Sequence, residues 1–141
     1  MIFLLGSLRN ADPLLILQIM LGVFLGALIG MTVHEWAHNY IAYRMGDRTP
    51  AEQGRLTLNP MVHINPMGFL MFVLIGFGVL GSAPINPRRM RNPRWGYLAA
   101  VAAGPISNLI LAVILGIVFR ILLAFNAPQL LFGIVTFMIY M

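Results

Sequence analysis

The sequence contains no cysteine and no lysine, and few charged residues of any kind. The absence of cysteine excludes disulfide frameworks, thiolate zinc sites and a cysteine nucleophile. Only 9% of the 141 residues are charged and 60% are apolar, whereas a soluble domain usually carries about 25% charged residues. This leaves too little polar surface to coat a water-soluble globule, so we expect lipid to be the natural solvent.

The basic residues are all arginines, and they give a formal net charge of +5. Seven of them lie in two short polar stretches between apolar runs: Arg44, Arg48, Arg55, Arg88, Arg89, Arg91 and Arg94. Basic charge can indicate nucleic-acid binding, but clusters beside apolar runs are typical of membrane-flanking charge. The positive-inside rule then predicts that both stretches are cytoplasmic, and we expect no nucleic-acid partner.

The first long apolar run predicts a membrane helix that is retained. Residues 14–31 contain one polar side chain, Gln18, and at about 1.5 Å per residue they nearly cross a hydrocarbon core of about 30 Å. Asp12 and Pro13 suit a helix cap and the first helical position. No breaker follows before Met45, so we expect the helix to run to that residue and stop at Gly46. The run lacks the basic start and cleavage site of a signal peptide.

Three more apolar runs follow, over residues 67–83, 97–125 and 129–141. The first is barely long enough to span, and arginines on both sides of it favour re-entry over a single crossing. The last is too short to cross comfortably. Alternation over Gly54–Asn59 predicts a short strand. We therefore expect an all-α polytopic membrane protein: a single domain over residues 1–141, built as a helical bundle. About three to four membrane segments are expected, with a short loop, strand or re-entrant region after the first helix.

The chemistry is carried by His34, Glu35 and His38, which form a His-Glu-x-x-His motif. On a helix, this spacing places the two imidazoles on one face, one turn apart. Both nitrogens can then reach one Zn²⁺ at about 2.0–2.1 Å. The intervening glutamate can take a proton from a metal-bound water and deliver it to a leaving amine. The alternative is a pair of histidines solvated at a helix end, with Glu35 paired to Arg44 or Arg48.

Two imidazoles do not complete a catalytic zinc site, which usually has three protein ligands. Asp12 is excluded because it lies about 33 Å from His34 along the helix. We expect Asp47 and Glu52 to solvate a loop. His63 is a lone histidine in a polar loop, for which a structural or substrate-contacting role is favoured over ligation. These considerations indicate that the third ligand is absent from this chain.

Beyond the zinc motif, several stretches carry a resemblance that covers about residues 20–115. They begin with the sequence Tyr-Arg-Met-Gly-Asp-Arg-Thr-Pro at Tyr43–Pro50. A second stretch runs from Gly54 to Gly68 and includes Asn-Pro-Met-Val-His-Ile-Asn-Pro. The others are the Pro-Ile-Asn-Pro run at 84–87 with the arginines after it, and Gly-Pro-Ile-Ser-Asn at 104–108. Together with the motif, they resemble the compact prokaryotic members of the site-2 protease family of intramembrane zinc metalloproteases.

The resemblance implies a zinc endopeptidase that cleaves within or near transmembrane segments of membrane proteins. It assigns zinc ligation to His34 and His38 and the catalytic base to Glu35. It also places Gly104, Pro105 and Asn108 near the active site, where an asparagine amide could steady the oxyanion or hold substrate. The alternative is that Gly104 and Pro105 make a packing kink and that Asn108 bonds a carbonyl freed by it. The implied location is the cell membrane, with several crossings and the active site near the cytoplasmic side.

The sequence departs from the family pattern at two positions. The third ligand of the family is an Asp on a later helix, and no Asp follows Asp47 here. Either the chain is a fragment, which its end within an apolar run favours, or it is a non-catalytic relative that binds transmembrane helices. Relatives often carry Asp where this chain has Asn65, which weakens any metal role for that residue. A small transporter or channel component is a third hypothesis, but it would need ionisable groups along a path through the bilayer.

Overall fold

The computed structural model describes residues 12–75, 81–125 and 128–139. Within these ranges the chain is mostly helical, and no strand occurs. The α-helices, in chain order, are α1 (Pro13–Arg44), α2 (Thr49–Glu52), α3 (Pro60–His63), α4 (Pro66–Ile75), α5 (Pro93–Ala124) and α6 (Gln129–Ile139). A 3₁₀ turn covers Pro87–Arg89.

The bounds of α1 agree with those predicted from its sequence. The Asp12 side chain accepts a hydrogen bond from the Leu14 backbone N–H at 3.0 Å, and Pro13 occupies the first helical position. The helix ends at Arg44, one residue before the predicted end, with Met45 as its C-cap. Gly46 follows with φ of 109°, a conformation that glycine adopts at little cost.

Asn-Pro pairs start four of the six described helical segments that follow α1, namely α3, α4, the 3₁₀ turn and α5. Each asparagine side chain accepts hydrogen bonds from backbone N–H groups of the next turn, as shown by Asn59, Asn65, Asn86 and Asn92. The proline that follows has no N–H to leave unsatisfied and already has a helical φ. The sequence thus repeats one helix-starting device, and the polar loops are built from short capped turns.

The strand predicted over Gly54–Asn59 is wrong. These residues form turns and irregular backbone between α2 and α3, because Gly54 adopts a φ of 66° and Pro60 begins a new helical turn. The Thr57 carbonyl accepts a hydrogen bond from His63 Nε2 at 2.6 Å. That backbone segment is therefore occupied within the chain and is not an open sheet edge.

The described residues at the two ends of the second apolar run, residues 67–83, lie close together. Gly81 forms an isolated antiparallel bridge with Ile64, so the chain that enters α4 at Pro66 comes back beside its own beginning. Phe69 of α4 packs edge-to-face on Phe24 of α1, with ring centroids 5.6 Å apart. The flanks of this run are therefore adjacent among the described residues, as re-entry would require.

The long helices α1 and α5 pack on each other, and α6 packs against both. The first two are 32 residues each and apolar enough to cross a membrane; they are the two such helices among the described residues. Helix α5 begins at Pro93, four residues before the apolar run, because Asn92 caps it. The three to four membrane segments predicted from sequence are not confirmed, because two helices long enough to span occur among the described residues. At the packed interface, Gly133 of α6 lies against the buried Gln18 side chain of α1.

Candidate metal centre

The two histidines of the motif converge on one point of helix α5. His34 and His38 lie one turn apart on α1, with ring centroids 4.5 Å apart. A methyl group on Gly104 would lie 2.6 Å from His34 Nε2 and would also contact His38 Nε2. Both Nε2 atoms therefore face the same small volume beside Gly104, and a larger residue at that position would fill it.

The other ring nitrogen of each histidine is held by α5. His38 Nδ1 lies 2.7 Å from the Ala100 carbonyl oxygen. Since a carbonyl only accepts, Nδ1 carries the proton and Nε2 keeps its lone pair for a metal. His34 Nδ1 lies 3.1 Å from the Asn108 side-chain amide. The atom of the amide that faces the ring is the nitrogen, which donates, so Nδ1 accepts in this orientation. Metal binding through His34 Nε2 requires the amide to turn by 180°, so that its oxygen accepts from Nδ1–H.

These observations test whether the residues fit zinc, and two ligands fit well. Two imidazole Nε2 atoms directed at one point, each with its Nδ1 held by an outer partner, are the arrangement of histidine zinc ligands. The pair alone is incomplete, because no group of three His, Cys, Asp or Glu side chains occurs together among the described residues.

Glu35 is buried between these histidines and the loop that returns at Gly81. Its side chain is 6% exposed, and a methyl group on Gly81 would lie 3.2 Å from Glu35 Cγ. In the described part of the chain, Oε2 has no hydrogen-bond partner, and neither Arg44 nor Arg48 forms an ion pair with it. The histidines are half-buried within α1, so the alternative of a solvated helix end with an ion-paired glutamate does not match the structure.

His63 lies on the other side of Gly81 from α1. The side chain is 2% exposed and its Nε2 donates to the Thr57 carbonyl, whereas its Nδ1 has no partner among the described residues. Its backbone carbonyl would lie 2.6 Å from a methyl group on Gly81, the same methyl group that would touch Glu35. His63 is therefore near the glutamate through Gly81, and it is not grouped with His34 and His38.

Asp47 differs from its expected role, because it is fully buried and does not solvate a loop. Its carboxylate accepts hydrogen bonds from the Thr49 N–H and hydroxyl at 3.0 and 2.6 Å and from the Asn86 N–H at 2.6 Å. Burial alone raises the pKa of Asp47, but these hydrogen bonds outweigh it and lower the pKa below its usual value. Asp47 thus links the end of α1 to the second arginine-rich stretch, residues 84–92, which we call the second basic loop.

The remaining candidates have structural roles. Glu52 is exposed and pairs with Arg89 at 2.6 Å, as expected of a loop residue. Asn65 caps α4 through the Met67 and Gly68 N–H groups. Pro105 is exposed within α5, which continues through it to Ala124. The alternative in which Asn108 bonds a freed backbone carbonyl is wrong, because its amide nitrogen contacts His34.

A largely apolar cavity of about 330 Å³ opens beside the motif. His34, Glu35 and Asn108 form its polar end. The apolar lining comes from the four helices α1, α4, α5 and α6 and includes Ile29, Met31, Phe72, Leu111, Leu115 and Met138. A cavity with one polar end and apolar walls suits an apolar chain whose polar group must be held at the motif.

Sequence reasoning missed the contributions of Ala100, Gly81 and α6. Ala100 contacts His38 through its backbone carbonyl. Every residue has such a carbonyl, so the identity of the side chain gives no indication of this contact. Gly81 approaches Glu35 only because the chain returns at that point. The Asp47 clamp could have been found, because Asp-x-Thr is a pattern in which the carboxylate caps the following backbone.

Comparison with known proteins finds relatives that carry the same chemical description. The chain is 46% identical over 87 residues to a Bacillus subtilis protein named "Putative zinc metalloprotease YwhC", a match that covers 62% of this chain and 40% of that protein. Proteins named "Putative zinc metalloprotease Rip2" from Mycolicibacterium smegmatis and Mycobacterium tuberculosis are each 33% identical, over 108 and 113 residues. Those matches cover 73% and 76% of this chain and 41% and 43% of the relatives.

The chain therefore spans about two fifths of the length of the curated relatives it matches. No family model and no solved structure matches it. At a coarse level, the relatives support a zinc metalloprotease function.

Proposed function

We propose that this chain is the membrane-embedded domain of an intramembrane zinc metalloendopeptidase of the site-2 protease family. The observation that carries the proposal is the convergence of the His34 and His38 Nε2 atoms beside Gly104, with both Nδ1 atoms held by α5. The similarity to proteins named as zinc metalloproteases supports the same chemistry. The proposed substrate is a peptide bond within or near a transmembrane segment.

The two histidines would hold the zinc, and a third ligand would come from outside the described residues. Zinc, when bound, supplies a Lewis acid that polarises the scissile carbonyl and acidifies water. The Ala100 carbonyl fixes the tautomer and orientation of the His38 ring, and the Asn108 amide holds the orientation of the His34 ring, so that both rings face the metal position before any metal arrives. This preorganisation lowers the cost of assembling the site.

Glu35 would act as general base and then as general acid. It removes a proton from the attacking water as the oxygen forms a bond to the carbonyl carbon. It then donates that proton to the amide nitrogen as the carbon–nitrogen bond breaks, which yields a carboxylic acid and an amine. The acid then gives its proton to the amine at neutral pH. The buried carboxylate has an oxygen with no hydrogen-bond partner among the described residues, as a group that exchanges protons with substrate requires.

The apolar cavity would receive the substrate segment. A helical peptide hides its carbonyls in hydrogen bonds, so the bond to be cut must be presented in an extended form. The apolar walls would accommodate side chains of a membrane segment, while the polar end at His34, Glu35 and Asn108 would meet its backbone. The position of His63 beside Gly81 suits a contact to substrate rather than to metal.

We place the protein in the cell membrane with more than one crossing and with the site near the cytoplasmic side. The long apolar helices α1 and α5 support the crossings. His38 precedes Arg44 by six residues, about 9 Å along the helix axis. The arginine-rich stretches at that end favour the cytoplasmic face, so the catalytic groups would lie a short distance below it.

Metal content and cleavage test the proposal on protein expressed from the complete gene. We expect about one zinc per molecule, loss of zinc in His38→Ala, and retention of zinc with loss of cleavage of a transmembrane reporter in Glu35→Gln. Gln keeps the size of the side chain but cannot take the proton. Cleavage that persists in Glu35→Gln would refute the assigned base.

The second candidate is a non-catalytic membrane module of the same type that binds transmembrane helices. It is favoured by the absence of a third ligand among the described residues. It predicts that the protein binds such a segment but contains no stoichiometric zinc, with or without the substitution at His38.

A further inference from the structure

Four arginines surround a polar recess at the end of α1 that faces the second basic loop. The recess has a volume of about 480 Å³, and we call it the arginine recess; it is lined by Tyr43, Arg44, Gly46, Arg48, Arg89, Met90 and Arg91. Its lining comes from two segments about 40 residues apart in sequence. The catalytic mechanism proposed above uses none of these side chains.

Backbone contacts hold the two arginine-bearing segments together. The Arg91 N–H donates to the Met45 carbonyl at 2.9 Å. Gly46 allows this approach, because a methyl group there would lie 3.3 Å from Arg91 Cγ and 3.4 Å from Arg91 N. Nearby, the buried Asp47 carboxylate binds the Asn86 N–H. The recess is thus part of the folded framework and not a chance meeting of loose side chains.

The arginines in this recess are only partly neutralised, by Glu52 and by the Asp47 carboxylate, both near Arg89. Arg89 pairs with Glu52, and Arg44 donates to the Tyr40 hydroxyl at 3.2 Å and lies over its ring. Within the described ranges, Arg48 and Arg91 have no side-chain partner. Like charges held around one recess repel each other, and an anion bound among them would remove that cost.

The surroundings favour a lipid as the source of the anion. Both long apolar helices meet the polar region here, since α1 ends at Arg44 and α5 begins at Pro93. Trp95 and Tyr97 are exposed at the same level, as aromatic residues are at a membrane interface. Trp95 also lines an apolar groove on α5 with Leu98 and Val101. The acyl chain of a lipid could lie in this groove, whereas a free phosphate would make no contact with it.

We propose that the arginine recess binds the phosphate headgroup of an anionic phospholipid. Guanidinium groups form paired, charge-assisted hydrogen bonds with phosphate oxygens. The proposal uses the membrane placement given above but not zinc binding or proteolysis. Each arginine near an anionic headgroup raises affinity by about fivefold.

Native mass spectrometry of the purified full chain in detergent tests this by counting retained lipid during titration with phosphatidylglycerol or phosphatidylcholine. We expect wild type to retain phosphatidylglycerol selectively, and the double variant Arg48→Gln/Arg91→Gln to bind it roughly 30-fold more weakly. Gln keeps the Cβ and Cγ atoms, so the packing of residue 91 on Gly46 is preserved. A far-UV circular dichroism spectrum matching wild type establishes that the variant is folded.

The matched control is Arg55→Gln/Arg88→Gln, which removes the same charge at the same end of the protein from arginines that line neither the recess nor the groove beside Trp95. We expect its affinity to change less than about threefold, because more distant charges are screened. Equal losses of lipid affinity in the two double variants would show that diffuse surface charge attracts the lipid, and this would overturn the proposal. Displacement of the lipid by excess inorganic phosphate would overturn the lipid assignment, as would equal retention of phosphatidylcholine. Zinc content should stay at the wild-type level in both pairs.

Discussion

Replacement of Gly104 by Ala tests the geometry of the metal centre most directly. The added methyl group would lie 2.6 Å from His34 Nε2 and would also contact His38 Nε2. Ordinary contact begins at 3.4 Å, so the methyl and the His34 ring would have to separate by about 0.8 Å. Metal–ligand distances tolerate deviations of only about 0.2 Å, so both rings cannot keep their positions.

We expect Gly104→Ala to weaken zinc binding at least tenfold, within the range of about 10- to 100-fold seen when groups around metal ligands are changed. Helix stability cannot explain such a loss, because Ala is a better helix former than Gly by about 1 kcal/mol. The assay is competition for zinc against a chelator of known affinity, with protein-bound metal measured by mass spectrometry.

Gly116→Ala is the matched control. It lies on the same helix, and a methyl group there would meet nothing within 4 Å. We expect its zinc affinity to equal that of wild type. Zinc affinity in Gly104→Ala within about twofold of the control would refute the convergence of the two Nε2 atoms on this glycine.

Three further predictions follow from other contacts. Asn108→Ala removes the partner of His34 Nδ1 and should weaken zinc binding by about 10- to 100-fold in the same competition assay. Asp47→Asn should lower the free energy of unfolding in detergent by about 1–3 kcal/mol. Because the folded-state pKa of Asp47 is lowered, its contribution is complete above the unfolded value of about 3.9 and is lost as pH falls toward the folded value. Single cysteines at positions 65 and 82, introduced into this cysteine-free chain, should both react with an impermeant maleimide from the same side of the membrane.

Each of these has a contrary outcome. Unchanged zinc affinity in Asn108→Ala would mean that the hydrogen bond from Asn108 is not needed to orient the His34 ring for zinc. If unfolding of wild type and of Asp47→Asn showed the same dependence on pH below about 4, the carboxylate would not be the group responsible. Labelling of the two cysteines from opposite sides would contradict the adjacency of Ile64 and Gly81 and favour a crossing.

Local patterns predicted the elements correctly where a single segment contains all the relevant residues. The N-cap of α1 at Asp12, its stop before Gly46 and the long helix α5 depend on nearest neighbours along the chain. The strand over Gly54–Asn59 was wrong because a short alternation carries little energy of its own. No partner strand for it occurs among the described residues. The backbone conformation of residues 54–59 is therefore set by the capped turn that begins at Pro60 and by the hydrogen bond from His63 to Thr57.

The sequence by itself determined the chemistry of this protein: an apolar chain, and two imidazoles and a carboxylate at a spacing that a helix turns to one side. The spacing follows from the pitch of a helix, which any isolated segment would share. Only the tertiary structure decided what faces that side. The carbonyl of Ala100, the open space at Gly104 and the amide of Asn108 reach the histidines across more than 60 residues of chain. Such contacts arise from the packing of α5 on α1, and packing depends on the whole surface of both helices rather than on any pattern within one of them.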